Sequence, residues 1–107
     1  MISTHILDTS LGLPAPGVNV VLEKRTGGNW GILSKDTTNS DGRITFANRQ
    51  ETGTYRLIFE VEPYFQSRQI SSFFTEIPVV FSISDTNRKY HVPLLLNPFG
   101  YSTYRGS

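Results

Sequence analysis

The sequence contains no cysteine, one methionine, one tryptophan and only two histidines, His5 and His91. The absence of cysteine excludes disulfide bonds, thiol catalysis and zinc sites built from thiolates. No apolar stretch approaches the roughly 18 to 20 residues of a membrane-spanning helix, and the first residues lack the charged and apolar regions of a signal peptide. We therefore expect no membrane association and a cytoplasmic location, or a periplasmic one if a leader has been removed.

The charge is almost balanced, with ten Lys and Arg against nine Asp and Glu and a formal net charge of +1. The charges are scattered, with neither a basic run nor an acidic tail, so nucleic acid and anionic membranes are poor candidates as partners. A length of 107 residues predicts a single domain over residues 1–107. Because one thin core leaves little room for a concave pocket, we expect any cleft to lie between subunits of an oligomer.

Short apolar runs separated by Gly, Pro, Asn and Asp predict an all-β sandwich of seven to eight strands. In the first strand, Ile2, Thr4 and Ile6 share one face and Ser3, His5 and Leu7 the other. The predicted strands are Ile2–Asp8, Val18–Lys24, Trp30–Ser34, Ile44–Ala47, Tyr55–Val61, Pro78–Ser84, Lys89–Leu96 and Tyr101–Arg105. The turns at Asn39–Gly42 and Asp85–Asn87 predict tight, hairpin-like connections. One short helix is predicted over Pro63–Phe73, with Pro63 in its first turn.

Histidine is the side chain best suited to move protons near neutral pH, so His5 and His91 are the candidate acid–base groups. An ordinary half-buried strand residue is the competing interpretation for each. Arg43 directly follows the turn Asp41–Gly42, at a strand end where sandwiches carry their sites. The spacing of His5, His91 and Asp8 matches no metal-ligand motif, so no metal site is predicted.

Two further features lie near His91. Pro93 interrupts the last long apolar run and cannot donate a ladder hydrogen bond, which predicts an edge strand, a bulge or an inter-subunit surface. The final residues, Asn97 to Ser107, are rich in aromatic, small and polar side chains, whereas most chain ends are featureless. The tail is therefore a candidate part of a site.

Four short segments together resemble the transthyretin-related hydrolases across the whole chain. They are Thr4-His5-Ile6-Leu7-Asp8, Ser40-Asp41-Gly42-Arg43, Tyr90-His91-Val92-Pro93-Leu94-Leu95 and the closing Tyr104-Arg105-Gly106-Ser107. Each segment alone is weak, but the four in this order form a specific signal. The middle of the chain also resembles unrelated prealbumin-like sandwich modules, so it indicates the fold and not the function.

The resemblance implies a transthyretin-like, two-sheet sandwich assembled as a homotetramer, a dimer of dimers, with active sites in the channel between dimers. It implies hydrolysis of 5-hydroxyisourate to 2-oxo-4-hydroxy-4-carboxy-5-ureidoimidazoline, in the breakdown of urate during purine catabolism. It further implies His5, Arg43 and His91 as catalytic residues, Tyr104, Arg105 and Ser107 as substrate-binding residues, and no cofactor. A neutral histidine would activate water, and Arg43 would stabilise the charge that develops on a carbonyl oxygen.

Two other functions remain open from the sequence. The first is a non-enzymatic carrier of a small aromatic ligand, as in the hormone-binding branch of the fold, which would favour an apolar channel over His5, Arg43 and His91. The second is an adhesion or carbohydrate-binding module, which gives no reason for the Tyr-Arg-Gly-Ser ending.

Overall fold

The computed structural model describes residues Met1 to Ser107 as two β-sheets and one short helix. One sheet has the order β2-β1-β8-β9 with β5 also paired to β1, and the other has the order β4-β3-β6-β7. The predicted two-sheet β-sandwich with one short helix is confirmed. Its elements are β1 (Ile2–Asp8), β2 (Leu13–Pro14), β3 (Asn19–Thr26), β4 (Asn29–Thr37), β5 (Arg43–Phe46), β6 (Gly53–Glu60), α1 (Val61–Gln66), β7 (Ile77–Ile83), β8 (Tyr90–Asn97) and β9 (Gly100–Thr103).

Strand periodicity assigns each side chain to the core or to the outside. On β1 the residues Ile2, Thr4 and Ile6 are buried, while Ser3 and His5 are only half-buried on the opposite face. Twenty buried apolar residues from both sheets and the helix form one continuous core between the sheets. Burial of these side chains leaves the opposite face of β1 free to carry polar groups.

Strand β1 is the centre of the five-stranded sheet and joins distant parts of the chain. It pairs in parallel with β8 along its whole length, from Ile2 opposite Tyr90 to Asp8 opposite Leu96. On its other side it pairs antiparallel with β5 through its first half and with β2 at its end. In the interior, the hydroxyl of Thr4 donates to the carbonyl oxygen of Val92 at 2.7 Å. The two predicted histidine strands are therefore direct neighbours.

A buried polar contact holds the end of β1 against the helix. The Asp8 carboxylate is fully buried and accepts hydrogen bonds from the Tyr64 hydroxyl at 2.8 Å and from the backbone N–H of Ser10 at 3.0 Å. Burial and the neighbouring Asp8 carboxylate raise the pKa of Tyr64 to about 12, so this hydroxyl stays protonated and able to donate. Because a buried carboxylate without partners is costly, these donors explain how Asp8 is accommodated on a core-facing position.

The helix is shorter than predicted and starts earlier. It spans Val61–Gln66 rather than Pro63–Phe73, with Pro63 still in the first turn. Gln69 adopts a left-handed backbone conformation with φ of 60°, and the N–H of Ile70 donates back to the carbonyl of Phe65. This local conformation ends the helix before the predicted second half. No helix of the structure is long and apolar enough to cross a membrane.

Two turns were correctly located but wrongly interpreted as hairpin connections. The segment Asn39–Gly42 joins β4 to β5, and the segment Asp85–Asn87 lies between β7 and β8. In both cases the two flanking strands belong to different sheets. The turns therefore carry the chain from one layer to the other. The residues of a turn determine where the chain reverses. The sheet that the next strand joins depends on where its apolar side chains are buried.

Candidate active site

The outer face of the five-stranded sheet brings the predicted site residues into two adjacent rows. In one row Thr45 of β5, Ser3 of β1 and His91 of β8 lie side by side. In the next row Arg43 of β5 lies opposite His5 of β1, and His5 lies opposite Pro93 of β8. Directly opposed residues on one sheet face are close enough for their side chains to interact. His5, Arg43 and His91 thus share one patch, although they are far apart in sequence.

Arg43 owes its position to the turn that precedes it. The Asn39 side-chain oxygen accepts hydrogen bonds from the N–H groups of Asp41 and Arg43, at 2.9 and 3.0 Å. Gly42 has a positive φ of 72°, and a Cβ there would lie 2.5 Å from the carbonyl oxygen of Ile6. Only glycine combines this conformation with such close packing against β1. The turn therefore places Arg43 at the first position of β5, opposite His5.

His91 is held from two sides. Its Nδ1 atom is hydrogen-bonded to the Ser3 hydroxyl at 2.8 Å. Its carbonyl oxygen accepts the N–H of Gly106 at 2.8 Å, which attaches the chain end to β8. A Cβ on Gly106 would lie 2.6 Å from Cδ2 of the His91 ring and 3.2 Å from the Pro93 side chain. The tail can therefore pack against the imidazole only because residue 106 is glycine.

Pro93 does not mark an edge strand, because β8 lies between β1 and β9. Its carbonyl oxygen accepts the Thr103 hydroxyl at 2.7 Å, on the side of the strand that faces away from β1. Regular pairing with β9 begins only at Leu94, and the next contact along the tail is between His91 and Gly106. Pro93 therefore lies where the ladder between β8 and the tail is interrupted, between the pairings at Leu94 and at His91.

An open cavity of about 250 Å³ lies over this patch. Its lining includes Arg43 and His91, which were predicted, together with Ser107 at the end of the tail. It also includes Ser3 and Lys89, neither of which was predicted from the sequence as a site residue. The available signal was strand alternation, since Ser3 lies two residues from His5 and Lys89 two residues from His91.

Tyr104 and Arg105 lie apart from the histidines. Both are exposed and line a separate cavity of about 340 Å³, whose walls also include Phe81 of β7 and Tyr90 of β8. The structure thus brings Ser107 to the histidine patch but places the other two predicted substrate-binding side chains at the neighbouring cavity.

The surroundings of His91 favour its neutral form. Partial burial of the ring lowers its pKa below the ordinary value of 6.5, and the positive charge of Arg43 and the proximity of His5 lower it further. A neutral imidazole keeps a lone pair that can accept a proton. The structure contains no group of three or more His, Cys, Asp or Glu side chains arranged to hold a metal ion. The patch therefore offers acid–base groups and a cation.

We expect His91 to titrate below pH 6.5 and the Arg43→Gln substitution to raise its pKa, because the variant removes a neighbouring positive charge. Histidine-selective NMR titration measures both. Since protonation of His91 is weaker in the folded than in the unfolded chain, acidification through this range also lowers the free energy of unfolding. An unchanged His91 pKa in the folded variant would contradict the assigned cause.

We expect Gly106→Ala to detach the tail from β8 while leaving the sandwich folded, because the added Cβ meets the His91 ring and Pro93. Faster amide exchange at residue 106 and an unchanged circular dichroism spectrum would show this result. Gly100→Ala is a matched control, since a Cβ there approaches nothing nearer than 3.7 Å. Undisturbed protection at residue 106 in Gly106→Ala would contradict the proposed packing requirement.

Comparison with known proteins gives a consistent result over the whole chain. The family model for the HIUase/Transthyretin family matches residues 2–106. The chain is 51% identical over 110 residues to 5-hydroxyisourate hydrolase of Salmonella dublin, with 100% of this chain and 81% of that protein covered.

Two solved structures extend the comparison. The structure of Klebsiella pneumoniae 5-hydroxyisourate hydrolase has a TM-score of 0.88 and 39% identity, and covers 99% of this chain and 98% of its own. Sea bream transthyretin in complex with thyroxine has a TM-score of 0.92 and 28% identity, and covers 98% of this chain and 93% of its own. The resemblance predicted from four short segments is confirmed, and the chain belongs to the HIUase/Transthyretin family.

Proposed function

We propose that this protein hydrolyses 5-hydroxyisourate. The observation that carries the proposal is the convergence of His5, Arg43 and His91 on one face of the sheet. The high identity to a hydrolase of this substrate along the entire chain supports the same reaction. Such a site suits a flat, polar substrate with electron-poor carbonyl groups, because it offers proton transfer and a fixed positive charge.

The reaction requires addition of water to a ring amide. His91 accepts a proton from the attacking water, whose oxygen forms a bond to the amide carbonyl carbon. The C–N bond then breaks, the ring nitrogen receives a proton, and the product carries a new carboxylate. The lowered pKa of His91 keeps this residue neutral and able to act as the base at neutral pH.

Arg43 and His5 complete the proposed mechanism from the neighbouring row. Arg43 remains charged throughout and can donate two parallel hydrogen bonds to the carbonyl oxygen on which negative charge develops. His5 lies directly opposite Arg43 and passes the proton of the tetrahedral intermediate's new hydroxyl group to the departing ring nitrogen. Neither step needs a nucleophilic side chain or a metal ion. In this proposal the two histidines therefore have different roles on the same patch.

The tail contributes its last residue to substrate binding. Ser107 lines the cavity beside His91 and Arg43, so its hydroxyl can hold polar substrate atoms. Substrate contacts of Tyr104 and Arg105 stay a prediction from the sequence, because their side chains line the neighbouring cavity.

A carrier function is less consistent with the character of this surface. The solved transthyretin binds thyroxine within the same fold, so the fold itself permits such a role. The cavity is lined by His91, Arg43 and Lys89, and His5 lies directly opposite Arg43 on the same sheet face without lining the cavity. A carrier of an apolar aromatic ligand would favour an apolar lining. We therefore prefer the hydrolase, in agreement with the hydrolase relatives.

We also propose a homotetramer built as a dimer of dimers. The cavity is open and lies on a sheet face, so a second surface is needed to exclude water from the substrate. Strands β7 and β9 are unpaired edges of the two sheets, and such edges can pair with another copy. Sedimentation analysis is expected to give four times the mass of one chain, with the monomer mass contradicting the proposal.

The reaction is tested by generating 5-hydroxyisourate from urate with urate oxidase and following its ultraviolet decay. We expect the protein to accelerate this decay in the presence of a chelator, and His5→Asn and His91→Asn each to lower kcat/KM by about 10²-fold or more. Ser71→Ala, in the exposed loop between α1 and β7 and outside the cavity lining, is the matched control. Decay at the uncatalysed rate with the folded wild-type protein would refute the proposed reaction.

A further inference from the structure

Ser3 makes the one hydrogen bond that the structure shows to the His91 ring. Its hydroxyl oxygen lies 2.8 Å from Nδ1, and the two residues are register partners on β1 and β8. Ser3 also lines the cavity beside Arg43 and Ser107. It therefore lies where it can control His91, and none of the steps proposed above uses it.

The hydrogen bond between Ser3 and Nδ1 affects which ring nitrogen of His91 carries the proton. A neutral imidazole carries one proton, on either Nδ1 or Nε2, and the partner of one nitrogen determines the state of the other. For Nε2 to accept a proton from water, Nδ1 must hold the ring proton and donate it to an acceptor. The Ser3 oxygen can serve as that acceptor, because a hydroxyl carries lone pairs and can rotate its own hydrogen away from the ring.

The backbone around Ser3 keeps this contact in place. Strand β1 is paired on both sides at this point, to Thr45 of β5 and to His91 itself. The next residue, Thr4, is fully buried and hydrogen-bonded to Val92 across the same pair of strands. On the far side of the ring, Gly106 packs against Cδ2, which neighbours Nε2. The imidazole is therefore held between a polar contact at Nδ1 and a packing contact near the catalytic nitrogen.

We propose that Ser3 is a positioning residue that holds His91 in the Nδ1–H tautomer and leaves Nε2 free to accept the proton of the attacking water. This inference rests on the proposed function for its catalytic meaning. The tautomer itself is a property of the protein without substrate, so it can be measured independently of the reaction.

The first measurement is the ¹⁵N NMR spectrum of histidine-labelled protein at a pH well above the His91 pKa. We expect the wild-type His91 to carry its proton on Nδ1, and Ser3→Ala to shift the population towards the Nε2–H tautomer. Ser3→Thr retains a hydroxyl at the same position and is expected to restore the wild-type tautomer. A wild-type His91 protonated on Nε2, or a tautomer unchanged in Ser3→Ala, would overturn the proposal.

The second measurement is kinetic, on the same folded variants. We expect Ser3→Ala to lower kcat by about 5- to 10-fold, the equilibrium equivalent of one neutral hydrogen bond, with KM nearly unchanged. Ser3→Thr is expected to recover most of kcat, and Ser71→Ala to behave as wild type. Equal kcat in wild type and Ser3→Ala would show that the contact has no catalytic consequence and would refute the positioning role. If wild-type protein lacks hydrolase activity but shows the Ser3-dependent tautomer, the proposed reaction fails separately.

Discussion

The parallel pairing of β1 with β8 is the constraint on which the proposed site depends. It places Ser3 beside His91 and His5 beside Pro93, joining residues from opposite ends of the chain in one register. A shift of one residue would turn His5 or His91 into the core and expose the apolar residues that now fill it. Burial of Ile2, Ile6, Val92 and Leu94 therefore stabilises the same register that aligns the polar face. Core packing and site geometry are not independent in this molecule.

Local sequence patterns predicted much of each strand but little of their arrangement. Alternation correctly separated Ile2, Thr4 and Ile6 from Ser3 and His5, because the core excludes unpaired polar groups from one face. The pattern does not encode which strands are neighbours, and the turns before β5 and β8 predicted hairpins where the chain crosses between sheets. The proximity of the histidines followed from the family resemblance, whereas Ser3 needed the register itself. Its sequence position, two residues before His5, suggested a shared face without identifying His91 as its partner.

The fold accommodates both an enzyme and a hormone-binding protein, so the backbone alone does not define the chemistry. What distinguishes this chain is the set of side chains on the outer face of one sheet. This face carries the charge of Arg43 and the titratable side chains of His5 and His91. The stability of the sandwich does not require them, because the core lies on the other face of the sheet. The core on the opposite face supplies the rigidity that such a polar site requires. A single sheet thus packs against the core with one face and carries the proposed site on the other.

The tail after β9 is attached beside the proposed site by a backbone contact. Beyond β9 the tail leaves the regular ladder, and it returns to β8 at Gly106, where its N–H donates to the carbonyl of His91. The return places Ser107 at the cavity and covers Pro93, which is buried although it lies on the outer face. Pro93 has no N–H to donate to the tail, and its carbonyl oxygen accepts the Thr103 hydroxyl. The backbone contact of Gly106 with His91 and its close packing against the imidazole therefore give a terminal segment with few core contacts a defined place beside the proposed site.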